Sequence, residues 1–301
     1  MSVTAETSDR LHTLQLAEHY EVASDPQYEM GKDVVLKKLA PRKGERILDI
    51  GCGTARVTVE AANKVGNGEV VGIDFKQYFV DIALKKARHN LSFEWADAHD
   101  LTQFHSNKFD AAYSNLVWHF LKDQAQAFCQ VHDVLNSEGR FVFSTISAAH
   151  PNQLADFKKE VIEEVMSANP DRHYPETKEG IAKFSTRGAL ETFLPDAGFR
   201  ITDISTAPCV VVRITAEDMW KFWNSSTFGC VIIELPEDLQ PPGRKKWRRG
   251  SKVFSKMVKF VWKWRHGSLK PIETDFFHDN FTYSDTMIHT SKTTYILFEY
   301  V

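Results

Sequence analysis

The sequence predicts an α/β protein built on a doubly wound sheet, with a cap contributed by its C-terminal half. Two observations predict this. From 46 to 146, short apolar runs alternate with helical periods, the pattern of parallel strands covered by helices on both faces. Directly after the first run comes a glycine turn, GCG at 51–53, at the carboxyl end of a strand, where such sheets hold their ligands.

The elements follow in order. RILDI (46–50) reads as a buried strand, and 54–65 as a helix with Val57, Ala61 and Val65 on one face. A second strand spans 69–75, a second helix 78–90, a third strand 91–97 and a fourth 108–115. A helix over 123–135 leads to a fifth strand at 139–146. The second half is less regular. A helix over 153–169 stops before Pro170, and another spans 185–199 with Ser185 as its N-cap. Residues 200–205 and 209–214 read as extended, 215–224 as a short helix capped by Thr215, and 293–301 as a closing strand.

Bulk composition excludes several classes. The chain has 301 residues, 43% apolar and 26% charged, with a net charge of -3, so nothing draws it globally to nucleic acid. Its start lacks a basic segment followed by an apolar one, and no run approaches the roughly 18 apolar residues that span a bilayer. Cys52, Cys129, Cys209 and Cys230 are scattered without a CxxC, which reads as reduced, buried thiols in a cytoplasmic setting and as no structural metal.

The turn selects among cofactors. A dinucleotide fingerprint requires a glycine where Arg56 stands, and no G-K-[ST] follows for a nucleoside triphosphate. Instead Asp49 precedes Gly51, where an acid opposes a pyrophosphate and suits a cationic amino group. Asp74 ends the second strand, 21 residues after Gly53, and can accept from two ribose hydroxyls. Phe75 offers a ring for adenine, and Asp97 can accept from an adenine amine, with Ala98 and His99 lining the base. These residues describe a ligand with adenine, a ribose diol and a charged amino-acid end.

The set LDIGCGTA (48–55), GIDF (72–75), WADAHDL (95–101), FDAAYSN (109–115) and VLNSEGRFVFS (134–144) resembles the class I S-adenosylmethionine-dependent methyltransferases over about residues 16–147. The resemblance implies a Rossmann-like, mostly parallel sheet with an antiparallel last strand. It also implies S-adenosylmethionine as cofactor, S-adenosylhomocysteine as product, no metal, and cofactor contacts from Gly51, Cys52, Gly53 and Asn115. Ala55 stands where the family usually has a third glycine.

SNLVWHF (114–120) follows the fourth strand, and its S-N-x-x-x-H is similar to the small-molecule branch that includes juvenile-hormone-acid and trans-aconitate methyltransferases. That likeness implies Tyr20 and Tyr28 as cofactor cover, and a roof over the acceptor from 216–229 carrying Trp220 and Trp223. The resulting organisation is an N-terminal cap (1–40), a cofactor core (41–150), an acceptor cap with the sixth strand inserted (151–292) and a final strand (293–301). Trp118 either contacts the reacting methyl or packs in the core. His119, and secondarily His150, are candidate bases that titrate near neutrality; the alternative for His119 is a backbone-bonded imidazole.

A basic amphipathic stretch at 244–265 reads as a lid, with a membrane-surface element as its second reading. The expected activity is O-methylation of a carboxylate or hydroxyl on a small, apolar or amphiphilic metabolite. Its rivals are N- or C-methylation, a rearrangement aided by the cofactor without methyl transfer, and a non-catalytic membrane-associated binding protein.

Overall fold

A computed structural model describes residues 20–21, 24–148, 163, 167, 171, 185–208 and 294–300. Helix α1 (Asp25–Met30) passes through a π-helical turn (Gly31–Val35) into α2 (Leu36–Leu39). Five strands alternating with helices or 3-10 turns follow: β1 (Arg46–Ile50), α3 (Arg56–Val65), β2 (Glu69–Asp74), α4 (Gln77–Leu84), β3 (Leu91–Trp95), a 3-10 turn (Thr102–Phe104), β4 (Phe109–Asn115), a second 3-10 turn (Trp118–Phe120), α5 (Gln124–Val134) and β5 (Leu135–Ile146). Beyond them lie α6 (Arg187–Asp196), β6 (Ile201–Pro208) and β7 (Thr294–Tyr300).

The strand order is β3-β2-β1-β4-β5-β7-β6. Strands β1 to β5 are parallel, whereas β7 runs antiparallel to both β5 and β6. The mostly parallel sheet with an antiparallel last strand is therefore present. Chain order reverses between β1 and β4, so the crevice that binds ligands in such sheets opens at the carboxyl ends of these two strands.

Side-chain alternation along the strands builds two cores. Ile47, Ala111, Tyr113 and Val142 pack with Leu36, Leu39, Ala61, Val65 and Val80, the faces of α2, α3 and α4. Leu48, Ile50, Ala112, Phe141 and Phe143 pack on the other face with Phe128, Val131 and Leu190 of α5 and α6. Arg140, on β5, ties α2 to the sheet: Nε donates to Leu39 O at 2.8 Å, and Nη2 reaches Glu45 Oε2 at 2.6 Å.

Several boundaries differ from expectation, each for a local reason. Helix α4 ends at Leu84 rather than 90, and Asn90 instead donates to Ala62 O and Gly66 O, both at 3.0 Å, fastening the entry of β3 to the end of α3. Strand β5 begins at Leu135 because a register shift between Phe109 and Ala111 lets it pair early. Thr186, not Ser185, caps α6 by accepting from Ala189 N at 3.1 Å; Ser185 bridges to Ser147. Cys129 is exposed, not buried, whereas Cys52 is buried. The expected segments at 209–214, 215–224 and 244–265, and all of 153–169 but Glu163 and Ser167, lie outside the described residues, and with them the helical cap. Among the described residues no helix is long and apolar enough to cross a membrane.

Candidate functional site

The glycine turn joins β1 to α3. Gly51 has φ +77, and a Cβ there would lie 2.3 Å from Val117 Cγ2, so glycine is required both by the backbone and by the loop after β4. The amides of the turn are already committed. Gly51 N and Cys52 N donate to Ile73 O at 2.8 and 2.9 Å, Gly53 N to Asp74 Oδ2 at 2.9 Å, and Ala55 N to Cys52 O at 2.9 Å. A phosphate cradle needs such N–H groups pointing at the ligand. This turn does not offer them, in agreement with the missing dinucleotide fingerprint.

What it offers is buried negative charge. Asp49 is 2% exposed, and its Oδ2 accepts from Thr58 Oγ1 at 2.7 Å and from Tyr113 Oη at 2.6 Å. No bond to Oδ1 is formed among the described residues. Burial pushes the Asp49 carboxyl up to about 7, against the pull of those two hydroxyls. Asp74, at the end of β2, accepts from Gly53 N and, at 2.8 Å through Oδ1, from Lys76 N. Burial raises it to about 6.

Farther along the sheet edge, Phe75 and Trp95 stand 53% and 52% exposed with ring centroids 5.9 Å apart, and Trp95 Nε1 donates to Phe75 O at 2.8 Å. Asp97 Oδ1 accepts from His99 N at 2.9 Å and meets His99 Nδ1 at 2.6 Å. Asp123 N donates to His99 Nε2 at 3.1 Å, so a neutral His99 carries its proton on Nδ1. Ala98 is buried beside them. The structure thus gathers Asp49, Gly51, Cys52, Gly53, Asp74, Phe75, Asp97 and Ala98 along the carboxyl ends of β1 to β3.

The residues after β4 divide. Asn115 is bonded on both sides: Nδ2 donates to Gln27 O at 2.8 Å, and Oδ1 accepts from Ser144 Oγ at 2.9 Å. Trp118 requires a correction. It is fully buried, stacked on Phe128 at 4.7 Å and packed against Phe141 and Phe143, and so belongs to the core of the α5 face rather than to the reacting zone. The cause is Leu116, whose φ of +60 turns the chain before Trp118 is reached. His119 is 1% exposed with Nδ1 unpartnered, and burial lowers its pKa to about 3. It is a neutral imidazole here, not the group titrating near neutrality expected from its type. His150, Trp220 and Trp223 lie outside the described residues.

The N-terminal cover also divides. Tyr20 packs edge-on to Phe79 at 5.4 Å, and a Cβ built at Gly53 would meet only the Tyr20 ring, at 4.0 Å. Burial and then the Asp74 carboxylate push its hydroxyl up to about 12. Tyr28 is turned elsewhere: its hydroxyl donates to Glu60 Oε1 at 2.9 Å, and the Arg56 guanidinium lies 4.4 Å from its ring. It covers α3, not the glycine turn. Arg56 and Lys86 fasten this segment. Arg56 donates to Glu21 O at 3.2 Å and to Asp25 Oδ1 at 2.7 Å, and Lys86 Nζ to Glu21 Oε1 at 2.6 Å and Thr54 O at 2.8 Å.

Sequence reading passed over Thr58, Tyr113, Trp95, Arg56 and Lys86. Tyr113 had a signal: it pairs in register with Asp49 on the adjacent parallel strand and so shares its face. Among the described residues no group of three or more His, Cys, Asp or Glu side chains is arranged to hold a metal. The donor set fits a cationic, diol-bearing adenine ligand: a carboxylate with a spare oxygen beside an open glycine, a second acid at the end of β2, and an exposed ring next to it.

A family model described as a methyltransferase domain matches residues 41–206, more than half of the chain. The chain belongs to this methyltransferase-domain family. It is 33% identical over 119 residues to the O-methyltransferase cnsE of Penicillium expansum, covering 38% of this chain and 42% of that protein. It is 28% identical over 124 residues to a demethylmenaquinone methyltransferase of Staphylococcus saprophyticus, covering 40% and 53%. The chain thus spans about half the length of the curated relatives it matches. Among solved structures, the YcgJ protein from Bacillus subtilis aligns with a TM-score of 0.52 at 17% identity, covering 90% of this chain and 97% of that one, which establishes a shared fold.

Proposed function

We propose that the protein is an S-adenosylmethionine-dependent methyltransferase of a small, apolar or amphiphilic metabolite, acting on a carboxylate or hydroxyl oxygen. The observation that carries this reading is the pairing of two buried carboxylates, Asp49 and Asp74, with a glycine turn whose amides are spent. Buried acids without a cation in contact demand a positively charged or hydroxylated partner. Relatives named as an O-methyltransferase and a demethylmenaquinone methyltransferase support a small-molecule acceptor.

When bound, S-adenosylmethionine supplies an electrophilic methyl group. Asp49 holds the amino end at the turn formed by Gly51, Cys52 and Gly53, Asp74 accepts from the ribose, and Phe75, Asp97 and Ala98 receive the base. Tyr20 covers Gly53. Asn115 shapes the floor through its bonds to Gln27 and Ser144. A carboxylate acceptor is already nucleophilic at neutral pH, so it needs no base, and this suits a His119 that burial keeps neutral. Beyond the core of 41–150, α6 and β6 belong to the sheet layer, and we assign the rest of 151–292, with Trp220 and Trp223, to the acceptor cap and its basic stretch 244–265 to a lid that can meet a lipid-like surface. The N-terminal 1–40 and the last strand, 293–301, complete this organisation.

Label transfer tests the reading. The protein is incubated with methyl-labelled S-adenosylmethionine and a fractionated metabolite extract, then extracted into organic solvent before and after mild base. Organic-soluble label released by base as methanol is the expected outcome for a carboxyl ester. Base-stable label redirects the assignment to an ether, amine or carbon acceptor and makes His119 or His150 the base to mutate. No label despite measured cofactor binding favours a non-transferring role. Asp74→Ala is expected to lower S-adenosylhomocysteine affinity at least about tenfold, the loss of a charge-assisted hydrogen bond; full binding refutes the ribose assignment.

A further inference from the structure

We propose that Tyr113 and Thr58 are positioning residues for cofactor binding: their hydroxyls hold Asp49 Oδ2 from two different elements and leave Oδ1 for a cationic amino group at the glycine turn. The proposal rests on the reading of the site as an S-adenosylmethionine pocket.

Its basis is geometric. Asp49 lies on β1, Tyr113 is its in-register partner on β4, and Thr58 sits in the first turn of α3. All three are buried, and both hydroxyl bonds, at 2.7 and 2.6 Å, fall on the same carboxylate oxygen. Two donors on one oxygen fix the rotation of the carboxylate and leave the other oxygen unpaired. The groups facing Asp49 are the Asp74 carboxylate from β2, the Cys52 thiol from the turn, and these two hydroxyls. Asp74 opposes ionisation of Asp49, and no Lys or Arg among the described residues bonds to it. The hydroxyls therefore do two things. They aim Oδ1, and they keep a buried, uncompensated acid ionisable near neutral pH, the form that a cation requires.

Because its folded-state value lies above the ordinary carboxylate range, Asp49 favours folding fully below that range, and the contribution is lost progressively as pH rises from there to about 7, above which it is flat. Thermal midpoints of the ligand-free protein between pH 5.5 and 8.5 read this without any cofactor. Asp49→Asn is expected to remove the part of the fall that runs up to about 7, leaving the part from Asp74, which levels off near 6. Tyr113→Phe and Thr58→Val each remove one donor to the carboxylate, and each is expected to extend the fall upward, so that it levels off about one to two pH units higher. Calorimetric titration with S-adenosylhomocysteine is expected to show affinity rising with pH. In both variants binding is about tenfold weaker at pH 7 and recovers toward pH 8.5.

Ser114→Ala is the control. Ser114 neighbours Tyr113 but donates to Ile50 O, and its loss is expected to lower the thermal midpoint equally at every pH without moving the pH at which the fall levels off. Uniformly weaker binding, with the fall levelling off at an unchanged pH, in Tyr113→Phe and Thr58→Val overturns this proposal alone. Absence of S-adenosylhomocysteine binding by the unaltered protein at every pH overturns the cofactor reading, and this proposal with it.

Discussion

Ala55 holds a left-handed backbone, φ +67, at the N-cap of α3, where the related motif usually has glycine. That conformation costs an L-residue about 1–2 kcal/mol. Burying the methyl, which is fully enclosed, returns about 0.8 kcal/mol. The two effects nearly cancel, so Ala55→Gly is expected to change stability by less than about 1 kcal/mol and to bind S-adenosylhomocysteine equally or a few-fold more tightly. Calorimetric titration checks this, and weaker binding would mean that the methyl itself touches the ligand. At this scale the acids were legible because each stands directly after a strand of an α/β sheet, where position alone implies exposure to the crevice. Tyr113 was not, since a tyrosine inside an apolar strand reads as packing until the register sets it opposite Asp49. Trp118 was misplaced because the positive φ of Leu116 resets which way the next residues face, and a leucine gives no sign of it.

The N-terminal cover is held as an element by two cations from the core. Arg56, the first residue of α3, and Lys86, just past α4, both grip Glu21, while Arg56 also bonds Asp25. Tyr20, next to Glu21, is thereby kept over Gly53. The Arg56–Asp25 pair is exposed on the acid side and contributes on the order of 0.2–1 kcal/mol. The bond to the Glu21 carbonyl adds a charge-assisted contact of about 1.5–3 kcal/mol. Arg56→Gln is accordingly expected to weaken S-adenosylhomocysteine about 3- to 30-fold through faster dissociation, with a raised KM and little change in kcat. Stopped-flow dissociation and limited proteolysis near residues 20–25 check it; unchanged dissociation would reduce the clamp to a surface contact without effect on the ligand. From sequence, Arg56 registered only as a missing glycine. Its partners lie 31 to 35 residues earlier, beyond the reach of any local pattern.

Across the whole molecule, the five parallel strands were readable because short apolar runs alternate with helices or turns, so local periodicity encodes the element order. The far edge is less local. Strand β7 inserts between β5 and β6 although nearly ninety residues separate it from the end of β6, and only the resemblance to a family, not the pattern itself, implied its antiparallel sense. The site inherits a global consequence from this architecture. Two carboxylates, at about 7 and about 6, are buried at the carboxyl ends of β1 and β2, so the ligand-free fold carries a penalty that grows as pH rises toward those values. A cationic ligand that binds their ionised forms relieves it. At one hundred times its dissociation constant a ligand adds about 2.7 kcal/mol to stability, which for a domain of this size raises the Tm by roughly 5–10 °C. At a fixed S-adenosylhomocysteine concentration that meets this condition at pH 8, the rise is expected to be clearly smaller at pH 6, where protons compete for Asp49 and Asp74. Differential scanning fluorimetry at the two values measures it directly. A rise that is equal at both, or larger at pH 6, would mean that the acids do not meet the ligand in their charged forms, and the electrostatic logic of the pocket would have to be sought in the N-terminus of α3 instead.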